Sequence, residues 1–257
     1  MLNEQTLEKL HTMRLTGMAD AFKDQMMQPD MNDLSFEERF GFLVDQHWTW
    51  KEDRRLKTVL RNAKLKDNAC IEDIDYKSPR GINKSLILSL SGCDWIKNAQ
   101  NIIITGSTGV GKTYLACALA NSACRKGFSS LYKRSSRLFQ EIAVARADGT
   151  YPKLMNKIAK AKVLIIDDFC ITPMKEDERK DLLEVIEDRQ GLCSTIISTQ
   201  IPIKNWFETI GDPTIADAVL DRLIHNAHKI NLKGESMRKI RSPVTMKNKY
   251  QLYASNI

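Results

Sequence analysis

Eight consecutive residues have the glycine spacing and the lysine that a phosphate-binding loop requires. The segment Gly106-Ser107-Thr108-Gly109-Val110-Gly111-Lys112-Thr113 matches the pattern G-x-x-x-x-G-K-[ST]. Its glycines allow backbone conformations that direct N–H groups at phosphate oxygens. In such loops the lysine, here Lys112, contacts the β- and γ-phosphates, and the hydroxyl of Thr113 holds Mg²⁺. The segment therefore predicts a site for ATP and magnesium.

Two adjacent carboxylates follow a second aliphatic run further along the chain. Val163 to Ile166 are all aliphatic, and Asp167 and Asp168 come directly after them. Ligands of open α/β sheets bind at the carboxyl ends of the strands. We therefore expect Asp167 to contact the nucleotide and its magnesium, and Asp168 to orient or deprotonate the attacking water. A kinase or a nucleotide-binding switch does not require the second acid, so the pair favours hydrolysis.

The next aliphatic run ends in polar residues, and an arginine lies on the helix that follows it. Thr199 and Gln200 could sense the γ-phosphate or hold the water, or they could be ordinary residues at the end of a strand. Arg222 could reach a phosphate only if the fold or a neighbouring subunit carries it there. Most such arginines are solvated.

A parallel sheet is the element that would bring these residues together. Segments with the pattern of strands occur at 101–105, 130–133, 162–167, 195–199 and 229–232. Helical patterns begin between them, at Lys112, Arg137, Asp177 and Thr214. This alternation predicts an α/β fold in which helices flank a parallel five-stranded sheet.

The residues before this alternation predict a small all-helical domain. Apolar residues at helical spacing indicate one amphipathic helix that Pro29 ends. Ser35 and Glu38 form a capping-box pattern at the start of a second helix. A third helix is expected over 51–65, and residues 67–83 are expected to be a linker.

We therefore expect two domains, with a boundary near residue 78. Residues 1–78 would contact neighbouring subunits, DNA or another partner, and residues 79–257 would form the ATPase domain. The net charge is +7, from 39 basic and 32 acidic residues, so a polyanionic partner is plausible. Candidate DNA contacts lie on the third helix and near one strand end: Arg54, Arg55, Lys57, Arg61, Lys133, Arg134 and Arg137. A solvated basic surface would explain the same residues.

Cysteine and histidine usage favours neither a disulfide framework nor a zinc site. The six cysteines include no C-x-x-C pair, and His225 and His228 have no evident third ligand. No apolar run is long enough for a membrane span, and the acidic, polar start is unlike a signal peptide. We expect a cytoplasmic protein.

Together these motifs resemble the AAA+ ATPases, and specifically the IstB helper ATPases of insertion sequences, which are relatives of the DnaC helicase loader. The resemblance covers nearly the whole chain. Its motifs are residues 10–19, residues 76–81, the phosphate loop, Asp167-Asp168-Phe169, residues 213–223 and residues 234–239. Cys170 stands where the family usually has glycine.

The resemblance also implies roles for particular residues. Arg222 resembles the arginine finger that completes a neighbouring subunit's site, and Arg238 resembles the second sensor arginine, which contacts the phosphates. Thr199 and Gln200 occupy the first-sensor region. The C-terminal lid is reduced compared with that of a full AAA+ protein.

The biology that the resemblance implies is ATP-dependent assembly into a ring or spiral on double-stranded DNA. The assembled protein would bend target DNA and stimulate a transposase of the IstA type. The alternative is a DnaC-like loader of a replicative helicase. More distant alternatives are a small-molecule kinase and a DNA-binding module without catalysis.

Overall fold

The computed structural model describes residues 2–240, except the side chains of Leu2, Pro29, Asn32, Arg238 and Ile240. The helices before the sheet are α1 (Leu2–Thr12), α2 (Thr16–Met27), α3 (Phe36–Ala63), α4 (Lys84–Ser91) and α5 (Asp94–Lys97). They are followed by β1 (Asn101–Gly106), α6 (Lys112–Arg125), β2 (Ser130–Arg134), α7 (Ser135–Ala147), α8 (Tyr151–Lys160) and β3 (Val163–Asp167). The remaining elements are α9 (Glu176–Glu187), β4 (Ser194–Thr199), α10 (Trp206–Ile210), α11 (Pro213–Ile224), β5 (Ala227–Leu232) and α12 (Met237–Ile240).

The five strands form one parallel sheet in the order β2-β3-β4-β1-β5. This confirms the predicted α/β fold. Because β1, β4 and β3 are neighbouring parallel strands, their carboxyl ends lie at the same edge of the sheet, and so do the loop after β1 and the acids at the end of β3. The topology therefore brings together motifs that lie far apart in the sequence.

Helices cover both faces of the sheet, and the central strands are apolar on both sides. In β1, Ile102 and Ile104 pack in one hydrophobic cluster with α4, α5 and α6, whereas Ile103 packs in a second cluster with α7, α8, α9 and α11. Successive side chains of a strand point to opposite faces, which accounts for this division. Strands buried on both faces are typical of parallel sheets.

A buried arginine, Arg189, links the end of α8 to β4 through hydrogen bonds. Arg189 is 1% exposed. Its Nη1 donates to Ile158 O at 2.6 Å and to Ala161 O at 2.7 Å, and its Nε donates to Thr195 Oγ1 at 3.2 Å. These bonds satisfy carbonyls at the end of α8 that have no partner within the helix.

The chain divides into one compact unit that ends at Thr58 and a second that starts at Val59. This division falls earlier than the boundary predicted near residue 78. Residues 67–83 lack strand and helix, as expected of a linker, up to Lys84. Ala69, Ile71 and Ile74 are nevertheless buried in the same cluster as Ile102, so this segment belongs to the core of the second unit.

The first predicted helix is wrong in one respect, because the chain forms two helices, α1 and α2, where one was expected. Arg14 has φ 61°, which interrupts the helix, and Leu15 N–H donates to Leu10 O at 2.8 Å to close the turn. Helical spacing of the apolar residues continues across this break, so periodicity alone did not reveal it. Gly17 lies close to Trp50: a Cβ atom added to Gly17 would be 2.7 Å from the Cβ atom of Trp50.

The second and third predicted helices are a single helix, α3, because no proline or turn separates them. The predicted capping box at its start is confirmed. Ser35 N–H donates to Glu38 Oε2 at 2.8 Å, and Glu38 N–H donates to Ser35 Oγ at 3.2 Å.

None of the described helices is both long and apolar enough to span a bilayer. The predicted reduced lid falls mainly on residues 241–257, which lie outside the described part of the chain.

Candidate nucleotide-binding site

The loop between β1 and α6 adopts a conformation that requires glycine. Gly106 has φ 150° and Gly109 has φ 82°. A Cβ on Gly106 would lie 2.4 Å from Leu232 O, and a Cβ on Gly109 would lie 2.1 Å from Ser236 Oγ. The loop is therefore packed closely against the chain that follows β5.

The loop opens on a cavity of about 710 Å³, which is large enough for a nucleotide. Thr108, Gly109, Gly111, Lys112 and Thr113 line it. Lys112, at the start of α6, is 7% exposed and its Nζ donates to Ser107 O at 2.8 Å. The amino terminus of α6 adds a favourable partial charge for a phosphate group.

Thr113 and Asp167, the predicted magnesium residues, are in direct contact. Thr113 Oγ1 lies 3.0 Å from Asp167 Oδ1 and 2.9 Å from Asp167 Oδ2. A hydroxyl and a carboxylate are hard oxygen ligands of the kind that Mg²⁺ prefers. The pair therefore fits the predicted metal, with Asp167 completely buried at the end of β3.

Tyr132 on β2 also contacts Asp167, and no motif in the sequence predicts this contact. Its hydroxyl donates to Asp167 Oδ2 at 2.7 Å. Burial and this hydrogen bond raise the pKa of Tyr132, so the phenol stays protonated and acts as a donor. Tyr132 thereby fixes one oxygen of the carboxylate.

Asp168 lines the same cavity and is partly exposed, unlike Asp167. Arg134 Nε lies 2.8 Å from Asp168 Oδ2. Arg134, one of the candidate DNA contacts, lines the cavity beside the second acid, and its side chain is 56% exposed. Lys133, also expected to contact DNA, is 8% exposed and forms an ion pair with Glu141.

The backbone after β3 turns sharply to expose the second acid. Asp168 has φ 56° and Cys170 has φ 55°, in the left-handed region that favours glycine. This conformation gives a physical reason for a glycine at the position of Cys170. The thiol itself is buried, which raises its pKa to about 12.

Of the two first-sensor candidates, only Gln200 lines the cavity. Thr108 Oγ1 donates to Gln200 Oε1, which places the amide against the phosphate loop. Thr199 is completely buried. Its hydroxyl donates to Phe169 O at 2.6 Å and accepts from Ile201 N–H at 3.0 Å, so it holds the turn after β3 and not a ligand.

Arg222 lies away from this cavity. Asn101, the first residue of β1, donates from Nδ2 to Arg222 O at 3.2 Å, whereas the phosphate loop follows the last residue of β1. The guanidinium of Arg222 donates to Glu187 Oε1 at 3.0 Å and to Gln190 Oε1 at 2.9 Å. Arg238 is on α12, and its side chain is outside the described part of the structure.

Two cavity residues, which were not predicted to line the nucleotide site, come from the segment after α3. Arg80 Nη1 donates to Val110 O at 3.3 Å and supports the phosphate loop from behind. Lys66 Nζ lies 3.8 Å from Asp167 Oδ2. Arg80 falls within the motif Ser78-Pro79-Arg80-Gly81. Its basic side chain was the feature of the sequence that could have indicated a contact with the phosphate site.

The remaining candidate DNA contacts are exposed. Arg54, Arg55, Lys57 and Arg61 are exposed on α3, and Arg137 is exposed on α7. Arg54 lies over the ring of Trp50 at 5.1 Å, and Arg55 lies 3.7 Å from Glu52. Exposure leaves these side chains able to meet a phosphate backbone.

Comparison with known proteins shows a family that this chain resembles. A family model described as IstB-like ATP binding protein matches residues 8–244. An insertion sequence ATP-binding protein of Sinorhizobium fredii is 49% identical over 239 residues, which are 93% of this chain and 98% of that protein. The ATP-binding protein of insertion sequence IS1162 from Pseudomonas fluorescens is 44% identical over 203 residues, 79% of this chain and 88% of that protein.

Solved structures show the same fold at lower identity. The DnaC helicase loader has a TM-score of 0.56 at 20% identity and covers 66% of this chain and 100% of its own. AMPPCP-bound DnaA from Aquifex aeolicus has a TM-score of 0.56 at 18% identity and covers 69% of this chain and 54% of its own.

Proposed function

The chain belongs to the family of IstB-like ATP binding proteins, and from this we propose that it is the ATPase helper of an insertion sequence. In this proposal it assembles on double-stranded DNA in the cytoplasm, bends the DNA and stimulates an IstA-type transposase. The observation that carries the proposal is the extent of the likeness, since relatives named as insertion sequence ATP-binding proteins align with nearly the whole chain. The likeness to DnaC shows the fold alone, so helicase loading is an outcome that the test must distinguish.

The phosphate loop and the magnesium pair would hold the nucleotide. Lys112 and the loop amides would bind the β- and γ-phosphates, and Thr113 and Asp167 would hold Mg²⁺, which would neutralise charge on the phosphates. Tyr132 keeps the Asp167 carboxylate in place for this contact. Gln200, which accepts a hydrogen bond from Thr108 in the loop, would respond to the γ-phosphate.

Asp168 would act on the attacking water. It is the acid that the cavity exposes, and a carboxylate there can accept a proton or orient the water. Arg134 holds one of its oxygens.

Arg222 would complete the site of a neighbouring subunit. It lies at the opposite edge of the sheet from the cavity of its own chain, so a catalytic role requires a second copy. Hydrolysis would then depend on assembly, with Arg238 as the second sensor on the nucleotide. The exposed arginines and lysines of α3, with Arg137, would bind the DNA backbone.

The test is ATP hydrolysis with and without linear duplex DNA, followed by co-purification. We expect duplex DNA to stimulate phosphate release, Lys112→Ala to abolish nucleotide binding, and the exposed control Lys153→Ala to change neither. The protein should co-purify with its transposase in the presence of ATP. Hydrolysis that ignores DNA, or co-purification with a replicative helicase in place of the transposase, would overturn the proposal.

A further inference from the structure

A lysine from the segment after α3 reaches the carboxylate that the proposed function assigns to magnesium. Lys66 Nζ lies 3.8 Å from Asp167 Oδ2, and the Lys66 side chain is 42% exposed while that of Asp167 is 1% exposed. Lys66 and Thr113 line the same cavity. The ammonium group therefore approaches the buried carboxylate from the side open to solvent.

Lys66 differs from the other donors to Asp167 because it carries charge. Thr113 and Tyr132 donate neutral hydroxyl hydrogen bonds to this carboxylate. A buried carboxylate is costly without a cationic partner. Lys66 supplies such a cationic partner for Asp167.

Magnesium and an ammonium group are alternative partners for one carboxylate. Each stabilises the negative charge, and the two cations repel each other at short distance. We propose that Lys66 competes with Mg²⁺ for Asp167, so that binding of magnesium with nucleotide releases Lys66 from the carboxylate. This inference rests on the proposed function, because it requires Asp167 to face magnesium.

The stretch of chain that this exchange can affect is short and well defined. It begins at the end of α3, where Lys64 has φ 50° after Ala63, and it is limited on the other side by Ala69, which is completely buried. Lys66 lies between these two points. Release of Lys66 from Asp167 would therefore act on the residues between Ala63 and Ala69.

The test is a magnesium titration of the full-length protein with a fluorescent mant-ADP probe. We expect Lys66→Ala to lower the Mg²⁺ concentration for half-maximal binding by about two- to fivefold, the range for a partly exposed ion pair. Probe affinity in EDTA should stay unchanged, because the lysine acts through Asp167 and not through phosphate. Lys66→Arg should behave like the wild type, as should Lys77→Ala, which removes an exposed lysine from the same segment.

A second readout follows the chain itself. In the wild type, amide hydrogen exchange in a peptide spanning residues 60–68 should rise when Mg²⁺ and ADP are added together. In Lys66→Ala it should be high from the start and change little. Exchange would then report release of the segment independently of catalysis.

Three results would overturn the inference. An unchanged magnesium requirement in Lys66→Ala would show that the lysine does not compete. Weaker probe binding in EDTA would show that Lys66 is a phosphate ligand instead. Both of these results leave magnesium-dependent binding by the wild type intact. If the wild type itself shows no magnesium-dependent binding of the probe, the proposed function fails together with this inference.

Discussion

At the residue scale, the two acids at the end of β3 are distinguished by their surroundings. Asp167 is buried among Thr113, Tyr132 and Lys66, so its oxygens are already engaged. Asp168 is partly exposed to the cavity, with Arg134 as its ion-pair partner. A buried acid suits the holding of a metal, and an acid at the cavity wall suits the activation of water.

Asp168→Asn should therefore separate binding from hydrolysis. Asparagine keeps the shape of the side chain but cannot accept the proton, so we expect the rate of phosphate release to fall by about 10²-fold or more. Nucleotide affinity, measured by mant-ATP fluorescence, should stay within about threefold. Such a change corresponds to a difference in binding free energy of less than about 1 kcal/mol. Asp177→Asn, at an exposed position on α9, is the control. Normal turnover in the Asp168 variant would disprove the assigned role.

The sequence predicted the phosphate loop and both acids because each is a local pattern next to a strand. Lys66 and Arg80 were missed because their partners lie in other elements, and only the fold brings them together. Lys133 and Arg134 were grouped as DNA contacts because they are adjacent. Neighbouring residues on a strand face opposite sides, so one is buried beside α7 and the other reaches the cavity.

At the element scale, α3 is one continuous helix that carries both the capping box and the basic residues. Its length could not be predicted from apolar spacing, because the pattern changes partway along the helix without a residue that breaks it. The strands were easier to predict, because buried parallel strands are short aliphatic runs. The division at Thr58 was missed because the following segment looks like a linker in composition but packs in a core.

The exposed basic residues of α3 lead to a prediction about salt. If they bind DNA phosphates, the double variant Arg54→Glu/Arg55→Glu should reduce the slope of log affinity against log salt concentration by about 2, at about 0.9 for each lost contact. The measurement is fluorescence anisotropy of duplex DNA in the presence of ATP. Lys160→Glu, at an exposed position on α8, should leave the slope unchanged. A slope that is the same in the double variant would exclude α3 as the DNA contact.

At the scale of the whole molecule, the proposed catalytic groups are divided between two edges of the sheet. The loop, Asp167 and Asp168 lie at the carboxyl edge, and Arg222 lies near the first residue of β1. The sequence identifies Arg222 as a candidate but does not show where it acts. The fold shows that Arg222 lies away from the cavity of its own chain. A site completed by a neighbour links hydrolysis to assembly.

The most direct test of this account mixes two inactive variants. Asp168→Asn subunits should bind ATP without hydrolysing it, and Arg222→Ala subunits should lack the residue supplied to a neighbour together with its contacts to Glu187 and Gln190, each lowering phosphate release by about 10²-fold or more. With duplex DNA present, we predict that the mixture regains hydrolysis, because Arg222 of one subunit completes the intact cavity of the other. A mixture that is no more active than the two variants measured separately would contradict the shared site.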